Sequence, residues 1–144
     1  MNTLILCCGL PQSGKSTWAR QRGCPVVNPD SIRLALHGKP FVALAEPFVW
    51  AIAKTMVRAL FLAGHHTVIL DATNTTRSRR DEWKSKDWCR HFQVFGGPEM
   101  RDVCIERAKL TATDAEHEAG LVGAINRMAD AFEPISEDEC LGAE

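Results

Sequence analysis

Short hydrophobic runs alternate with longer, more polar stretches along the chain. The runs are rich in branched apolar residues, so they predict four buried strands, at 3–9, 25–28, 66–72 and 91–95. The stretches between and after them predict helices at 14–22, 29–37, 47–63, 75–89, 99–110 and 113–133. Residues 136–144 are acidic, and we expect them to be frayed. Strands that alternate with helices favour an α/β fold with a parallel sheet.

Length and composition predict that the chain forms one globular domain spanning 1–144. Of its 144 residues, 45% are hydrophobic and 24% are charged. The formal net charge is -1, so a nucleic-acid partner has to be held by a local basic patch and not by the overall field. Residues 41–63 are apolar, but Glu46, Pro47, Lys54 and Arg58 interrupt them. We therefore expect no membrane association.

The cysteines favour a reducing, cytoplasmic location. Six are present, and none of them forms a C-x-x-C pair of the kind found in zinc ribbons or redox motifs. Cys7 and Cys8 are adjacent within an apolar run and are expected to be core thiols. The N-terminal apolar run is too short for a secretory leader and has no basic residues before it.

A glycine-rich loop carries the strongest chemical signal. Residues 9–16 match the pattern G-x-x-x-x-G-K-[ST], after a predicted strand and at the start of a predicted helix. Glycines allow backbone N–H groups to converge on phosphate oxygens, and the helix N-terminus adds a positive dipole end. We expect the loop and the next residue to bind a nucleoside triphosphate through Gly9, Leu10, Pro11, Gln12, Ser13, Gly14, Lys15, Ser16 and Thr17.

Individual side chains in and near the loop have distinct expected roles. Lys15 would reach the β- and γ-phosphates as a mobile positive charge, and Ser16 would ligate Mg²⁺. Asp71 ends the third apolar run, where an acid can order Mg²⁺ through a bound water. The alternative for Asp71 is that it caps the following helix. These residues predict a site for a nucleotide with its magnesium ion.

The length of the chain selects among the reactions that such a loop supports. No guanine-reading N-K-x-D string occurs, and motor or transporter ATPases are usually longer, so a small phosphotransferase fits best. Phosphoryl transfer to an alcohol needs a carboxylate that accepts the hydroxyl proton. Asp30 follows the second strand at the edge where ligands bind, and Arg33 lies one helical turn away. Helix capping by Asp30, with Arg33 as a solvated partner, is an equally good interpretation of this spacing.

The segment after Asp71 is expected to form the substrate side. Thr73 and Asn74 continue into this loop, and three arginines follow closely, at positions 77, 79 and 80. Arg77, Arg79 and Arg80 form the one strong basic patch of the sequence and would hold phosphates of a polynucleotide. The alternative is an ordinary solvated helix face.

Four segments in this order resemble the P-loop polynucleotide kinase family, the phage-type 5′-hydroxyl kinases and their relatives. They read GLPQSGKSTWAR, NPDSIR, DATNTTRSRRDEW and FEPISEDE, and together they span nearly the whole chain. The resemblance implies an adenylate-kinase-like α/β fold that uses ATP and Mg²⁺. It also implies that Asp30 is the general base, that Arg33 contacts a substrate phosphate, and that Lys15 and Ser16 lie at the nucleotide.

The sequence departs from this family in the expected lid. Family lids carry one arginine at a helix end and another about four residues later. Here Arg107 fits the first position and is assigned to the nucleotide, but Thr111 occupies the second. Arg101, Lys109 or Arg127 replaces the missing arginine, or phosphoryl transfer is arranged differently.

We therefore expect an ATP-dependent kinase that phosphorylates a hydroxyl of a nucleic acid, with DNA the favoured substrate. The hydroxyl is either a 5′ end or the hydroxymethyl group of 5-hydroxymethyluracil, the acceptor of a related phage family of similar size. The alternatives are a small-molecule kinase of the same fold and a non-catalytic, nucleotide-gated binding module. Asp30 and Asp71 weigh against the module, because a pure switch needs no proton acceptor.

Overall fold

The fold is built on one four-stranded parallel sheet with the strand order β2-β3-β1-β4. The computed structural model describes residues 1–38 and 41–140. The strands are β1 (Asn2–Cys8), β2 (Val26–Val27), β3 (Thr67–Leu70) and β4 (Trp88–Val94). The helices are α1 (Lys15–Arg20), α2 (Pro29–His37), α3 (Glu46–Leu62), α4 (Arg77–Asp81), α5 (Arg101–Thr111), α6 (Ala115–Asp130) and α7 (Glu137–Cys140). The predicted α/β fold with a parallel sheet flanked by helices is confirmed.

The register of the sheet brings the ends of three strands to one edge. Leu6 of β1 pairs with Leu70 of β3, and Leu70 pairs in turn with Val27 of β2. Each of these strands ends within two residues of that row. Ligands of open parallel sheets bind beyond the carboxyl ends of the strands, so the loops at this edge are where the site is built.

Apolar clusters hold α3 against the sheet and α5 against α6. One cluster joins strand residues such as Leu4 and Val68 to Val49, Ala53 and Val57 of α3. These five residues are fully buried, because the apolar positions of α3 recur at helical spacing and face the sheet. A separate cluster joins α5 to α6 and includes Leu10 of the glycine-rich loop, Cys104, Ala108, Ile125 and Ala129.

The region predicted as a long helix at 75–89 differs from the prediction. Helix α4 ends at Asp81, and Trp88 already belongs to β4, which starts three residues earlier than predicted. The strand β4 has the sequence WCRHFQV and lies at the edge of the sheet. An edge strand in contact with solvent carries polar residues, so the start of β4 does not stand out as an apolar run. Trp83 faces inward as predicted, with no exposed surface, and its carbonyl accepts a 2.9 Å hydrogen bond from Trp88 Nε1.

The acidic tail also differs from the prediction over its first residues. Residues Glu137–Cys140 form α7, and Glu139 is 2% exposed. Its carboxylate binds the buried guanidinium of Arg80, with Nε to Oε1 at 2.8 Å. The part of the predicted frayed tail at 141–144 lies outside the described residues. No helix in the described parts of the chain is long and apolar enough to cross a membrane.

Candidate nucleotide and acceptor site

The glycine-rich loop follows β1 and requires glycine at two positions. A Cβ atom on Gly9 would lie 2.8 Å from Ser13 Oγ and 2.9 Å from Phe95 Cβ, so a larger residue would push β4 and the loop apart. Gly14 has a φ of +100°, a conformation that side chains with a Cβ rarely adopt. The backbone N–H of Gly9 is tied to the carbonyl of Thr73 at 2.9 Å, which joins the loop to the end of β3.

Lys15 lies folded against its own loop. It is 7% exposed, and its Nζ donates to the carbonyl of Leu10 at 2.6 Å and to Ser13 Oγ at 3.3 Å. Burial lowers the pKa of the Lys15 ammonium below its usual value, while the nearby carboxylate of Asp71 raises it. The cation is therefore held by neutral oxygens at the position where the loop would receive the charge of a triphosphate.

Ser16 and Asp71 meet at the start of α1 and form an oxygen pair. Ser16 Oγ donates to Asp71 Oδ2 at 2.6 Å, and Asn28 Nδ2 donates to the same oxygen at 3.1 Å. One hydroxyl and one carboxylate beside a phosphate loop fit Mg²⁺, which takes few protein oxygens and completes its shell with phosphate and water. The described residues contain no separate group of three or more histidine, cysteine or acidic side chains that could hold a metal.

Asn28 is a site residue that the sequence analysis missed, and it caps α2. Its Oδ1 accepts hydrogen bonds from the backbone N–H groups of Asp30 at 2.8 Å and Ser31 at 3.4 Å. Capping is thus the task of Asn28 and not of Asp30, although both residue types are good caps. The carboxylate of Asp30 is left 77% exposed at the same edge as the glycine-rich loop.

The carboxylate of Asp30 is held by Arg33, and Arg33 is held by Glu46. Arg33 Nη1 donates to Asp30 Oδ1 at 2.7 Å, and Arg33 Nε and Nη2 donate to the two oxygens of Glu46 at 2.9 and 2.7 Å. The hydrogen bonds to Glu46 raise the pKa of Arg33, which is 14% exposed. Each nitrogen of the guanidinium already binds a carboxylate, so this geometry fits a role in orienting Asp30 better than the predicted contact with a substrate phosphate.

The predicted basic patch divides into three different environments. Arg77 binds Asp138 and Ser136, and Arg79 Nη1 donates to Glu82 Oε2 at 3.0 Å while its guanidinium lies over the Trp50 ring. Arg80 is 1% exposed and pairs with Glu139, so it lacks the exposed edge that a phosphate contact requires. Burial alone would raise the pKa of Glu139, but hydrogen bonds from Arg80 and Ser136 lower it to about 2.

Thr73 and Asn74 contact the end of β1 and the first residue of the glycine-rich loop. Asn74 is 1% exposed, has a φ of +45°, and donates from Nδ2 to the carbonyl of Cys7 at 2.8 Å. Its own carbonyl accepts a hydrogen bond from Arg80 at 3.1 Å. Asn74 therefore connects β1 to the buried ion pair, and its side chain does not face an open substrate surface.

The predicted lid residue Arg107 lies on the glycine-rich loop. Its Nη1 donates to the carbonyl of Gln12 at 3.0 Å. Thr111 Oγ1 donates to the carbonyl of Arg107 at 2.9 Å and lies 3.5 Å from Gln12 Oε1. Gln12 has a φ of +68°, in the left-handed region, and its carbonyl faces Arg107 of α5. Among the candidates for the missing lid arginine, Arg101 is bound to Asn126 and Asp130, Lys109 lies near Glu106, and Arg127 folds back over Gly123.

Three strand ends thus bring the cation of Lys15, the Ser16–Asp71 oxygen pair and the carboxylate of Asp30 to one edge of the sheet. Such an arrangement provides positive charge and backbone donors for phosphates, oxygens for a divalent cation, and a proton acceptor beside them. The structure leaves Asn74 and Arg80 out of this group, and it adds Asn28 and Glu46. No periodic pattern in the sequence indicates that Glu46 pairs with Arg33, because the two residues lie on different helices.

Comparisons with known proteins agree with the fold. A search of curated proteins finds no match. A chain of the Pnkp1/Rnl/Hen1 RNA repair complex has a TM-score of 0.65 at 20% identity, over 92% of this chain and 46% of its own. A chain of another Pnkp1/Rnl/Hen1 complex has a TM-score of 0.63 at 29% identity, over 79% of this chain and 41% of its own. The protein thus spans less than half the length of either.

A third similar structure is closer in size. It is a gluconokinase from Sinorhizobium meliloti 1021, with a TM-score of 0.54 at 22% identity over 94% of this chain and 78% of its own. These likenesses show the fold, an α/β architecture that kinases share. The sequence profile of the AAA domain family matches residues 4–95, which include the glycine-rich loop, Asp30 and Asp71. The chain belongs to the AAA domain family.

Proposed function

We propose that this chain is an ATP-dependent kinase that phosphorylates a hydroxyl group of a nucleic acid. The acceptor is a 5′-hydroxyl end or the hydroxymethyl group of 5-hydroxymethyluracil in DNA, and all 144 residues form one kinase domain. The observation that carries the proposal is the exposed carboxylate of Asp30, which Arg33 holds at the sheet edge that also bears the glycine-rich loop. A nucleotide switch without an acceptor has no use for such a carboxylate.

Each residue of the site has a separate role in the proposed reaction. The glycine-rich loop and Lys15 bind the β- and γ-phosphates, and Arg107 lies over the loop on the lid side. Ser16 and Asp71 hold Mg²⁺, which supplies charge neutralisation to the triphosphate. Asp30 accepts the proton of the acceptor hydroxyl while the oxygen of that hydroxyl forms a bond to the γ-phosphorus. At the same time the bond between the γ-phosphorus and the β–γ bridging oxygen breaks, and ADP is the leaving group.

Two observations support a nucleic acid as the acceptor. The four segments that resemble polynucleotide kinases lie in the same order, and one of them contains both Asp30 and Arg33. The similar chain at 29% identity belongs to a Pnkp1/Rnl/Hen1 complex, and the complex in the other matching structure is one of RNA repair. Among nucleic acids we favour DNA.

A small-molecule kinase is the second candidate, and one structural observation favours it. Each arginine of the predicted basic patch is paired with an acid, through Asp138, Glu82 and Glu139, so the patch has little net positive charge. Long polyanions are held mainly by uncompensated lysine and arginine. The gluconokinase has a similar fold and a comparable length, so this architecture is also compatible with a small acceptor.

A transfer assay separates the candidates. The protein is incubated with ATP labelled at the γ-phosphate and, separately, with a 5′-hydroxyl oligonucleotide, DNA that contains 5-hydroxymethyluracil, or gluconate. We expect label in one of the two nucleic acids, and no transfer by Asp30→Asn although this variant still binds ATP. Label in gluconate alone favours the second candidate, and full activity of Asp30→Asn would remove Asp30 as the base.

A further inference from the structure

Helix α3 is apolar on its outer side as well as on the side that packs against the sheet. Val49, Ala53 and Val57 face the strands and are fully buried. A helix at the surface of a globular protein normally turns charged residues to solvent. Within α3, all of which is described, Arg58 is the one exposed charged residue. The other exposed residues of α3 are Pro47, Phe48, Ala51, Thr55, Met56, Ala59 and Leu62.

The outer side of α3 carries a regular apolar repeat. Five positions recur at alternating steps of four and three residues, namely Phe48, Ile52, Thr55, Ala59 and Leu62. They fall within about 80° of the helix circumference and extend over about 21 Å. This spacing is that of the seam along which two helices pack. Phe48 is 68% exposed and Leu62 is 89% exposed, so the described parts of the chain leave this α3 seam uncovered.

The α3 seam has a similar order of side chains in both directions from its middle. Thr55 lies seven residues from Phe48 and seven from Leu62, and an alanine lies four residues to either side of it. Two copies of α3 that pack antiparallel about Thr55 would place Phe48 of each copy opposite Leu62 of the other. Small residues in the middle allow the two backbones to approach closely, and the large residues at the ends enclose them.

The charges around the α3 seam favour a second copy of this chain as the occupant. A two-fold interface brings the same surface of both subunits together, so a charge near the axis meets its own copy. The seam has no charged side chain, and Arg58 beside it is paired with Asp87 at 3.0 Å. A nucleic acid or an anionic membrane would require uncompensated cations. Lys54, the other cation of α3, lies over the Trp83 ring.

We infer that two copies of this chain associate through the α3 seam as a two-fold symmetric dimer with antiparallel α3 helices. An apolar groove between α2 and α3 lies beside the seam and extends this surface, with Leu36, Ile52 and Met56 in its walls. Leu44, which is 91% exposed, precedes Phe48 by one further helical step. A stable interface needs about 800 Å² from each partner, with an apolar core. The inference does not depend on the proposed reaction.

Sedimentation of the whole chain over a range of micromolar concentrations tests the inference. We expect the mass to rise from that of one chain to that of two. Thr55→Lys and Thr55→Asp each place a charge against its own copy at the axis, so each should weaken association about tenfold or more. Thr55 is exposed, and its hydroxyl bonds the carbonyl of Ala51 on the same helix at 2.9 Å, so both variants should remain folded.

Two further samples make the test specific for a symmetric contact at Thr55. An equimolar mixture of Thr55→Lys and Thr55→Asp should recover the dimer, because a lysine then faces an aspartate across the axis. Ala119→Lys is the matched control, since it adds the same charge at an exposed position of α6 and should leave association unchanged. Thermal melts of each variant show that a loss of association is not a loss of fold.

Four results would overturn the inference. The wild-type chain could keep the mass of one copy throughout, or both Thr55 variants could associate as strongly as the wild type. The mixture of the two folded variants could fail to recover the dimer, which would exclude the two-fold contact at Thr55. A chain that stays single but binds vesicles of phosphatidylcholine would assign the α3 seam to a membrane surface instead.

Discussion

Glu46 binds Arg33 through two parallel hydrogen bonds, from Nε at 2.9 Å and from Nη2 at 2.7 Å. This two-point contact fixes the plane of the guanidinium, whose third nitrogen holds the carboxylate of Asp30 at 2.7 Å. A residue at the start of α3 thereby determines the direction of a carboxylate at the start of α2.

This relationship predicts the effect of Glu46→Gln. An amide supports the fork less well, so Asp30 loses its orientation, and we expect kcat to fall about tenfold while KM for the acceptor changes little. Steady-state kinetics with varied acceptor provides the measurement. Asp87→Asn, which removes the acid of the Arg58 surface pair, is the control and should leave both constants unchanged. A raised KM with an intact kcat would indicate instead that Arg33 touches the acceptor.

Lys15→Met should separate stability from function. Burial of the Lys15 ammonium opposes its charge, so the neutral methionine is expected to leave the melting temperature unchanged or higher. Loss of the cation from the phosphate loop should weaken nucleotide binding and lower turnover by about a hundredfold or more. Thermal melts and nucleotide titrations check the two halves. A marked loss of stability with normal nucleotide affinity would contradict both.

Gly9→Ala is expected to damage the loop and the fold together. The added Cβ would meet Ser13 Oγ at 2.8 Å and Phe95 Cβ at 2.9 Å, so overpacking should cost about 2 kcal/mol and weaken nucleotide binding. Gly120→Ala is the control, because apart from the neighbouring backbone of α6 its Cβ would meet no described atom within 4 Å. Alanine there should stabilise the helix by about 0.5–1 kcal/mol. Urea unfolding measures the free energy of unfolding of the two variants. Equal changes in Gly9→Ala and Gly120→Ala would contradict the prediction.

The buried pair of Arg80 and Glu139 predicts a pH-dependent stability. The folded-state pKa of Glu139, about 2, lies below its ordinary value, so its contribution is complete above that ordinary value and is lost as the pH falls toward 2. At neutral pH, Glu139→Gln leaves a buried guanidinium without its counter-charge and should cost roughly 3 kcal/mol. The exposed Glu137→Gln is the control.

Urea unfolding at several pH values tests this prediction. The difference in free energy of unfolding between the wild-type chain and Glu139→Gln should be constant near neutrality and should shrink below the ordinary pKa of a glutamate, about 4.3. A difference that persists unchanged into acid would mean that the carboxylate contributes by packing and not by charge.

The sequence predicted the parts of this molecule that local chemistry determines. Apolar runs marked the four strands, and the G-x-x-x-x-G-K-[ST] pattern marked the loop, because both signals lie within a few consecutive residues. The positions of Asp30 and Asp71 just past the ends of β2 and β3 also follow from the local sequence, and their roles stay predictions. The start of β4 was missed, since an edge strand with Arg90, His91 and Gln93 resembles a polar helix.

Partners that come from distant parts of the chain could not be predicted in the same way. Arg80 looked like a surface cation, but its acid lies 59 residues away and buries it. Asn28 and Asp30 are both good helix caps, and the local sequence does not say which of them is released for chemistry. Glu46 was also missed, because the packing of α2 against α3 brings it to Arg33.

The buried ion pair of Arg80 and Glu139 has a consequence for the order in which the molecule is completed during synthesis. Asn74 Nδ2 donates to the carbonyl of Cys7, and the carbonyl of Asn74 accepts from Arg80. The segment that supports the phosphate loop therefore depends on the carboxylate of Glu139, which follows all four strands of the described residues. The loop leaves the ribosome before its support, because Glu139 follows it by more than a hundred residues. A nascent chain with this design stays incomplete, and its glycine-rich loop lacks the buried ion pair, until translation has passed α6.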